Sequence, residues 1–227
     1  MEIIFEKKIV DKIKADAFLF LCYEDKKLFT EELKLIEKLL KCKISKTGLE
    51  DFEGKEKQTV LIYTGENRII LSGLGLKKDL TLEKVRKATA RGVKKTRSLK
   101  IRKIAIEILQ DQTLEGVQIE DIARAETISS LLALYSFYKY FTKKDSKDSK
   151  GIKEIMLFSQ YHSLEKYSKD IERGIYTGCI IGESTNFARD LGNEPSNIIY
   201  PVSLANLVSK RQKERNYSVE ILDKQKL

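Results

Sequence analysis

Apolar positions along the chain fall into short solid runs and longer runs with helical spacing, and the two kinds alternate. Ala17 to Cys22 is an unbroken apolar stretch, the pattern of a strand covered on both faces. Thr30 then precedes Glu31, Glu32 and an apolar series at Leu33, Ile36, Leu39 and Leu40, which predicts a helix capped by Thr30. Thr59 to Tyr63 and Arg68 to Ser72, parted by Thr64-Gly65-Glu66-Asn67, read as a hairpin, and Ser72-Gly73-Leu74-Gly75-Leu76 closes its second strand. Thr81 is the expected cap of a helix with Leu82, Val85, Ala88 and Val93 on its apolar positions. Ile101 to Leu109 reads as a strand, Ile119 to Phe141 as a long helix, and Ile152 to Phe158 as a strand again. Lys143 to Lys150 is a polar loop with nothing to bury.

From Ser163 the rhythm changes. Leu164, Ile171, Ile175, Cys179 and Ala188 mark a mostly helical stretch reaching about Leu191, long for one domain and suited to joining two. Pro195 and Pro201, the only prolines, break it. A last helix, Val202 to Arg215, leads to a predicted strand at Ser218 to Leu222. The expected class is α/β, with a mixed sheet flanked by helices, a long connecting helix and a truncated α/β start. The expected division is an accessory domain at 1–162, a connector at 163–194, and the beginning of a further domain at 195–227.

Composition narrows the options. Hydrophobic residues make up 41% of 227, enough for a packed core. No apolar run approaches the roughly 18–20 residues of a membrane span, and the first residues lack the middle of a secretory signal, so a cytoplasmic protein is expected. Three widely spaced cysteines, Cys22, Cys42 and Cys179, form no CxxC pair and support neither a zinc knuckle nor a disulfide framework. The net charge of +9 comes from both signs mixed throughout, which a solvated surface explains without a polyanionic partner.

One segment carries a specific resemblance. Asn186-Phe187-Ala188-Arg189-Asp190-Leu191-Gly192-Asn193-Glu194-Pro195-Ser196-Asn197, with Pro201 and Leu204-Ala205 after it, resembles the N-x-A-R-D-L-x-N-x-P-x-N signature of leucyl (cytosol) aminopeptidases. In that signature the matching residues are Asn186, Ala188, Arg189, Asp190, Leu191, Asn193, Pro195 and Asn197. Physically, the pattern ends a helix at Gly192 or Asn193, which tolerate left-handed backbone angles, and Pro195 fixes the turn. Asp51-Phe52-Glu53-Gly54-Lys55 with Gly73-Leu74-Gly75, and Leu134 to Tyr140 running into Thr142-Lys143-Lys144, are similar to the family's N-terminal domain and occur in its order.

The resemblance implies a two-domain enzyme assembled as a hexamer, with a macro-like N-terminal domain. It further implies two divalent metals (zinc, manganese or magnesium) that activate water to hydrolyse the first peptide bond of a peptide substrate. The family places its metal ligands and transition-state arginine in V-G-K-G-x-x-F-D-[ST]-G-G and N-T-D-A-E-G-R, and neither motif occurs here. No catalytic or metal position is therefore transferred to this chain, and the expected role is that of a front part serving assembly or regulation.

The residues offer no obvious substitute site. His162 is the only histidine and HExxH is absent, which removes histidine-based zinc chemistry. Glu183, Asp190, Glu194, Glu214 and Asp223 lack ligand spacing. Glu183 and Asp190, about two helical turns apart, suit connector packing. Two alternatives stay open. A stand-alone macro-like module would bind ADP-ribose or another nucleotide through the amides of Gly73-Leu74-Gly75, although those residues also read as a strand-end turn. Some relatives act on DNA, and Arg86, Lys87, Arg91, Lys94, Lys95, Arg97, Lys100, Arg102 and Lys103 form a basic cluster, without interleaved aromatics, that could follow a phosphate backbone. Ile175 and Ile180 are the connector positions expected to be exposed and to need a partner surface.

Overall fold

In a computed structural model, described for residues 1–7, 10–45, 47–65, 67–110, 114–142, 151–159, 166–215 and 217–222, the solid apolar runs become adjoining strands. The first strand, β1 (Glu2–Glu6), is absent from the sequence expectation: its few apolar residues lie between two acids on a sheet edge. The run at Ala17–Tyr23 is β2, buried along its whole length. The hairpin forms as β3 (Thr59–Thr64) and β4 (Asn67–Gly75), antiparallel, with Thr59 opposite Ser72 and Thr64 opposite Asn67. Glu66 of its turn lies outside the described residues. β5 (Lys103–Glu107) and β6 (Glu154–Phe158) complete a six-stranded sheet in the order β1-β6-β5-β2-β4-β3. All neighbours except β3 and β4 run parallel, so the sheet is mixed, as expected from the alternating elements.

Two layers cover the sheet. On one face α1 (Lys26–Leu39) packs Ile36 and Leu40 onto Phe18, Phe20, Cys22, Ile69 and Phe158. On the other, α2 (Leu82–Lys95), α3 (Ile119–Leu134) and α4 (Ser168–Asn193) cover Leu19, Leu21, Ile70, Ile104, Ile106 and Leu157. Parallel strands need both faces sheltered, which explains why β2 reads as unbroken apolar sequence. Asp16 joins two central strands at their starts: its Oδ2 accepts from the N–H groups of Arg102 (2.6 Å) and Lys103 (2.9 Å).

Several boundaries differ from expectation. Asp25, not Thr30, caps α1, its Oδ1 accepting from Lys27 and Leu28 N–H at 3.0 and 3.1 Å. Thr30 sits one turn inside, its hydroxyl donating to Lys26 O. Thr81 does cap α2, accepting from Lys84 N–H at 3.3 Å. The helix predicted to Phe141 stops at Leu134, because Tyr135 turns to extended backbone (ψ 135). The aromatics beyond it instead pair with one another, Phe137 with Tyr140 and Tyr138 with Phe141. The polar loop 143–150 lies outside the described residues.

The chain separates into two compact units, Met1–Asn186 and Phe187–Leu227. The second contains the end of α4 and α5 (Pro201–Arg215). The strand expected at Ser218 to Leu222 does not form: among the described residues, 217–222 carry no regular structure and no strand lies paired with them.

Candidate functional site

Glycine first decides whether the sheet's carboxyl edge could cradle phosphate. Gly73 lies in β4 against the loop of Gly54 and Lys55, where a Cβ would come within 2.6 Å of Gly54 O and closer still to Lys55 O. Gly54, at φ 77, lies equally close to the backbone of Tyr23, so a side chain there is excluded by conformation and by space. The Gly73 N–H donates to Gln58 O (3.0 Å) and the Gly75 N–H to Gly54 O (2.9 Å). Gln58 Oε1 in turn accepts from Glu53 and Lys55 N–H. Asp51–Lys55 and Gly73-Leu74-Gly75, which together resemble one part of the family's N-terminal domain, are thus one packed unit. Its glycine amides are engaged internally, which disfavours the nucleotide-binding reading and supports that of a strand-end turn.

Beside this unit the strand ends carry acid. Glu32 on α1, Glu107 at the end of β5 and Glu126 on α3 act on one another or on the Cys22 thiol. Burial pushes Glu32 up to about 8, with the like charge of Glu107 adding and the Tyr23 N–H hydrogen bond opposing. Glu126, wholly buried on α3, is raised to about 8 by burial first and by Glu107 after it, against a hydrogen bond from Leu109 N–H. Burial, with Glu32 and Glu107 adding, also holds the Cys22 thiol well above its usual value, which makes it an inert small hydrophobe. In sequence, Glu32 and Glu126 look like ordinary acids on helices, and no local signal marks the first as half-buried and the second as buried.

The basic cluster disperses. Arg91 Nη2 donates to Gly73 O at 2.8 Å, and Arg97 Nη2, in the turn after α2, donates to Tyr135 O beyond α3. Arg86 faces Glu83 at 3.8 Å, while Lys94 and Lys95 are exposed in the last turn of α2, where they oppose the helix dipole. Arg102 Nη1 likewise donates to Gly151 O at 3.3 Å, so three members of the cluster that could follow a phosphate backbone serve backbone carbonyls.

The signature residues lie at the end of α4 and just beyond it. Asn186 Nδ2 donates to Leu131 O on α3 at 3.2 Å, and Asn193 Nδ2 donates to Arg189 O at 2.9 Å. Pro195 O accepts from Ile198 and Ile199 N–H, forming the expected turn. Neither Gly192 nor Asn193 takes a left-handed angle, so the helix ends without that device. Ala188, Arg189, Pro195 and Asn197 are exposed and Asp190 and Leu191 half-buried. His162 and Asp223 lie outside the described residues.

What seats α4 is a feature the sequence reading missed, Gly174, Gly178 and Gly182 at helical four-residue spacing. A Cβ on Gly178 would stand 2.8 Å from Thr127 Cβ, and one on Gly182 2.6 Å from Leu131 Cδ1. One on Gly174 would strike Glu120 O and lie 3.0 Å from Ala123 Cβ. The Asn186–Leu131 bond continues the same seam. Ile175, expected at the surface, is buried in the core (6% exposed), whereas Ile180 is exposed (42%) beside Tyr176 and Ile181.

Among the described residues, no group of three or more His, Cys, Asp or Glu side chains is placed to hold a metal ion. No described helix is long and apolar enough to cross a membrane. The described residues therefore offer no paired-metal centre, and no chemical step is assigned to them. The fold and these sites define an α/β sheet domain with an internally engaged carboxyl edge.

Comparison with known proteins gives the family. The profile of the cytosol aminopeptidase family, N-terminal domain, matches residues 19–144. A probable cytosol aminopeptidase of Alkaliphilus oremlandii is 30% identical over 230 residues, covering 99% of this chain and 45% of its own length. One from a Sulfurihydrogenibium species is 30% identical over 234 residues, covering 100% of the chain and 44% of its own length. Among solved structures, a mutant tomato leucine aminopeptidase superposes with a TM-score of 0.77 at 20% identity, over 100% of this chain and 45% of its own. The bottromycin maturation enzyme BotP gives 0.68 at 19%, over 90% and 38%. These two likenesses show a shared fold. The chain belongs to the cytosol aminopeptidase family, and it spans about 45% of the length of the curated relatives it matches.

Proposed function

We propose that this chain is the N-terminal portion of a leucyl-aminopeptidase-like metallo-exopeptidase that releases N-terminal residues from peptides. In this reading residues 1–227 serve assembly and regulation, and the catalytic groups belong to the rest of the longer protein. The observation that carries it is the contrast between the two units. All of the signature after Asn186 lies in Phe187–Leu227, where none of the described residues is buried although α5 carries Val202, Leu204 and Leu207. Exposed apolar side chains on a helix that the described residues of its unit do not bury suit cover by further chain.

The finer parts of the reading belong to the same proposal: a cytoplasmic location, a macro-like first domain at 1–162, a connector at 163–194, and the opening of a catalytic domain at 195–227. Two divalent ions (zinc, manganese or magnesium) would be held by that domain, polarising the scissile carbonyl and activating water. A homo-hexamer is the expected assembly, and the outward Tyr176, Ile180 and Ile181 of α4 are apolar enough to face another chain.

The test is direct. Purified residues 1–227, incubated with leucyl-p-nitroanilide and added Mn²⁺ or Zn²⁺, are expected to release no p-nitroaniline above the blank. Turnover clearly above it would place catalytic groups inside this chain and overturn the proposal.

A further inference from the structure

The chain leaves β2 for α1 on one face of the sheet and leaves β5 for α3 on the other, so the departing segments part above neighbouring strands. Such a point is where an open α/β sheet forms its crevice. Here each departure is held by one carboxyl reaching in from its helix. Glu32 Oε2 accepts from Tyr23 N–H at the end of β2, at 3.3 Å. Glu126 Oε1 accepts from Leu109 N–H just past β5, at 3.2 Å. Glu126 is fully buried, and its Oε2 has no hydrogen-bond partner.

Among the described residues, the charged and titratable neighbours are few. Glu107 on β5 acts on both carboxyls and carries the same sign. Glu32 also faces the Cys22 thiol on β2 and the Lys77 ammonium after β4, which lies 5.6 Å from the Tyr23 ring centre. A charge at Glu126 Oε2 would stand out of water with a like charge as its ionisable neighbour.

We propose that Glu32 and Glu126 form a proton-dependent latch, holding the backbone at Tyr23 and at Leu109 in place while uncharged and releasing it when ionised. The uncharged acid accepts the backbone N–H without a desolvated charge. Ionisation of both adds two like charges around Glu107, with Lys77 to offset only Glu32, and the relief is entry of water between the strand ends. Burial places this change near neutral to mildly alkaline conditions, since both groups are pushed up to about 8.

The latch can be read by backbone hydrogen exchange on the whole chain, expressed as protection factors from about pH 6 to about pH 10. Protection of the Leu109 and Tyr23 amides is expected to fall about tenfold further than that of Ile70 in central β4. The double variant Glu32→Gln, Glu126→Gln, which keeps the acceptors and removes the titration, is expected to lose that difference. Equal loss at Ile70, or the same pH profile in the double variant, would overturn the latch. If the variant does not fold, the wild-type carboxyl carbons of Glu32 and Glu126, followed by NMR, decide the matter. Midpoints near 8 support it, and midpoints in the ordinary carboxylate range refute it.

Discussion

The two units of the chain are made of similar residues and held together very differently. Met1–Asn186 buries Phe20, Ile104, Ile106, Leu157 and Phe158 almost completely between two helical layers. In Phe187–Leu227 the Arg211 guanidinium stacks on Phe187 at 3.8 Å and Tyr217 Oη donates to Val208 O, while Ile198, Tyr200, Val202, Leu204 and Leu207 stand exposed. Apolar content alone does not make a core. What matters is whether the chain supplies a second surface for each apolar face, and in Phe187–Leu227 its described residues do not.

The contrast can be broken or sharpened experimentally. Phe20→Ala, in the first unit, is expected to cost about 3–5 kcal/mol of unfolding free energy in urea titration. A loss below about 1 kcal/mol would mean that the β2 core is not the stabilising centre. Gly178→Val, which forces a branched side chain onto Thr127, is expected to cost about 1–3 kcal/mol and to expose α4 to limited proteolysis. An undisturbed variant would show that α4 is not seated on α3 by that seam.

pH should move the first unit in a definite direction. Glu32 and Glu126 have folded-state values of about 8 against the usual 4.5, so the folded chain holds more protons than the unfolded one between those limits. Their contribution is complete below about pH 4.5 and is lost as pH rises through about 8, a fall of at least about 1 kcal/mol by urea titration. Constant stability across that window would mean that both acids are charged throughout. Arg97→Ala, which removes the donor to Tyr135 O, is expected to cost about 1 kcal/mol in thermal melts, while Lys94→Ala changes nothing measurable. At the small end, Leu207→Ala on α5 should stay within about 0.5 kcal/mol, because no buried contact is lost.

How far the sequence carried the structure follows from where each signal resides. The β3–β4 hairpin and the cap at Thr81 were legible because turn and cap chemistry is local. The α3 terminus was not: Tyr135, Tyr138 and Phe141 continue a helical apolar rhythm, while the tertiary hold of Arg97 on Tyr135 O lies at the break. β1 escaped because an edge strand needs few apolar residues, and its place is set by pairing with β6 some 150 residues away.

The signature from Asn186 to Asn197 identified the family because its residue types are individually uncommon in that order. The glycine seam left a readable trace, Gly174-x-x-x-Gly178-x-x-x-Gly182, that goes unread when glycine is taken only as a breaker. Glu32 and Glu126 left none, since burial belongs to the assembled sheet.

That seam has a mechanical corollary. A helix seated on three missing side chains behaves like a key in its slot: turned by one residue, it would present Ile175 or Cys179 to the Glu120 carbonyl and the Thr127 methyl, where there is no room. Axial rotation and sliding of α4 against α3 are therefore both blocked by hard contact, not by attraction. Which residues look outward, Tyr176 and Ile180 among them, is settled by the emptiness on the opposite side.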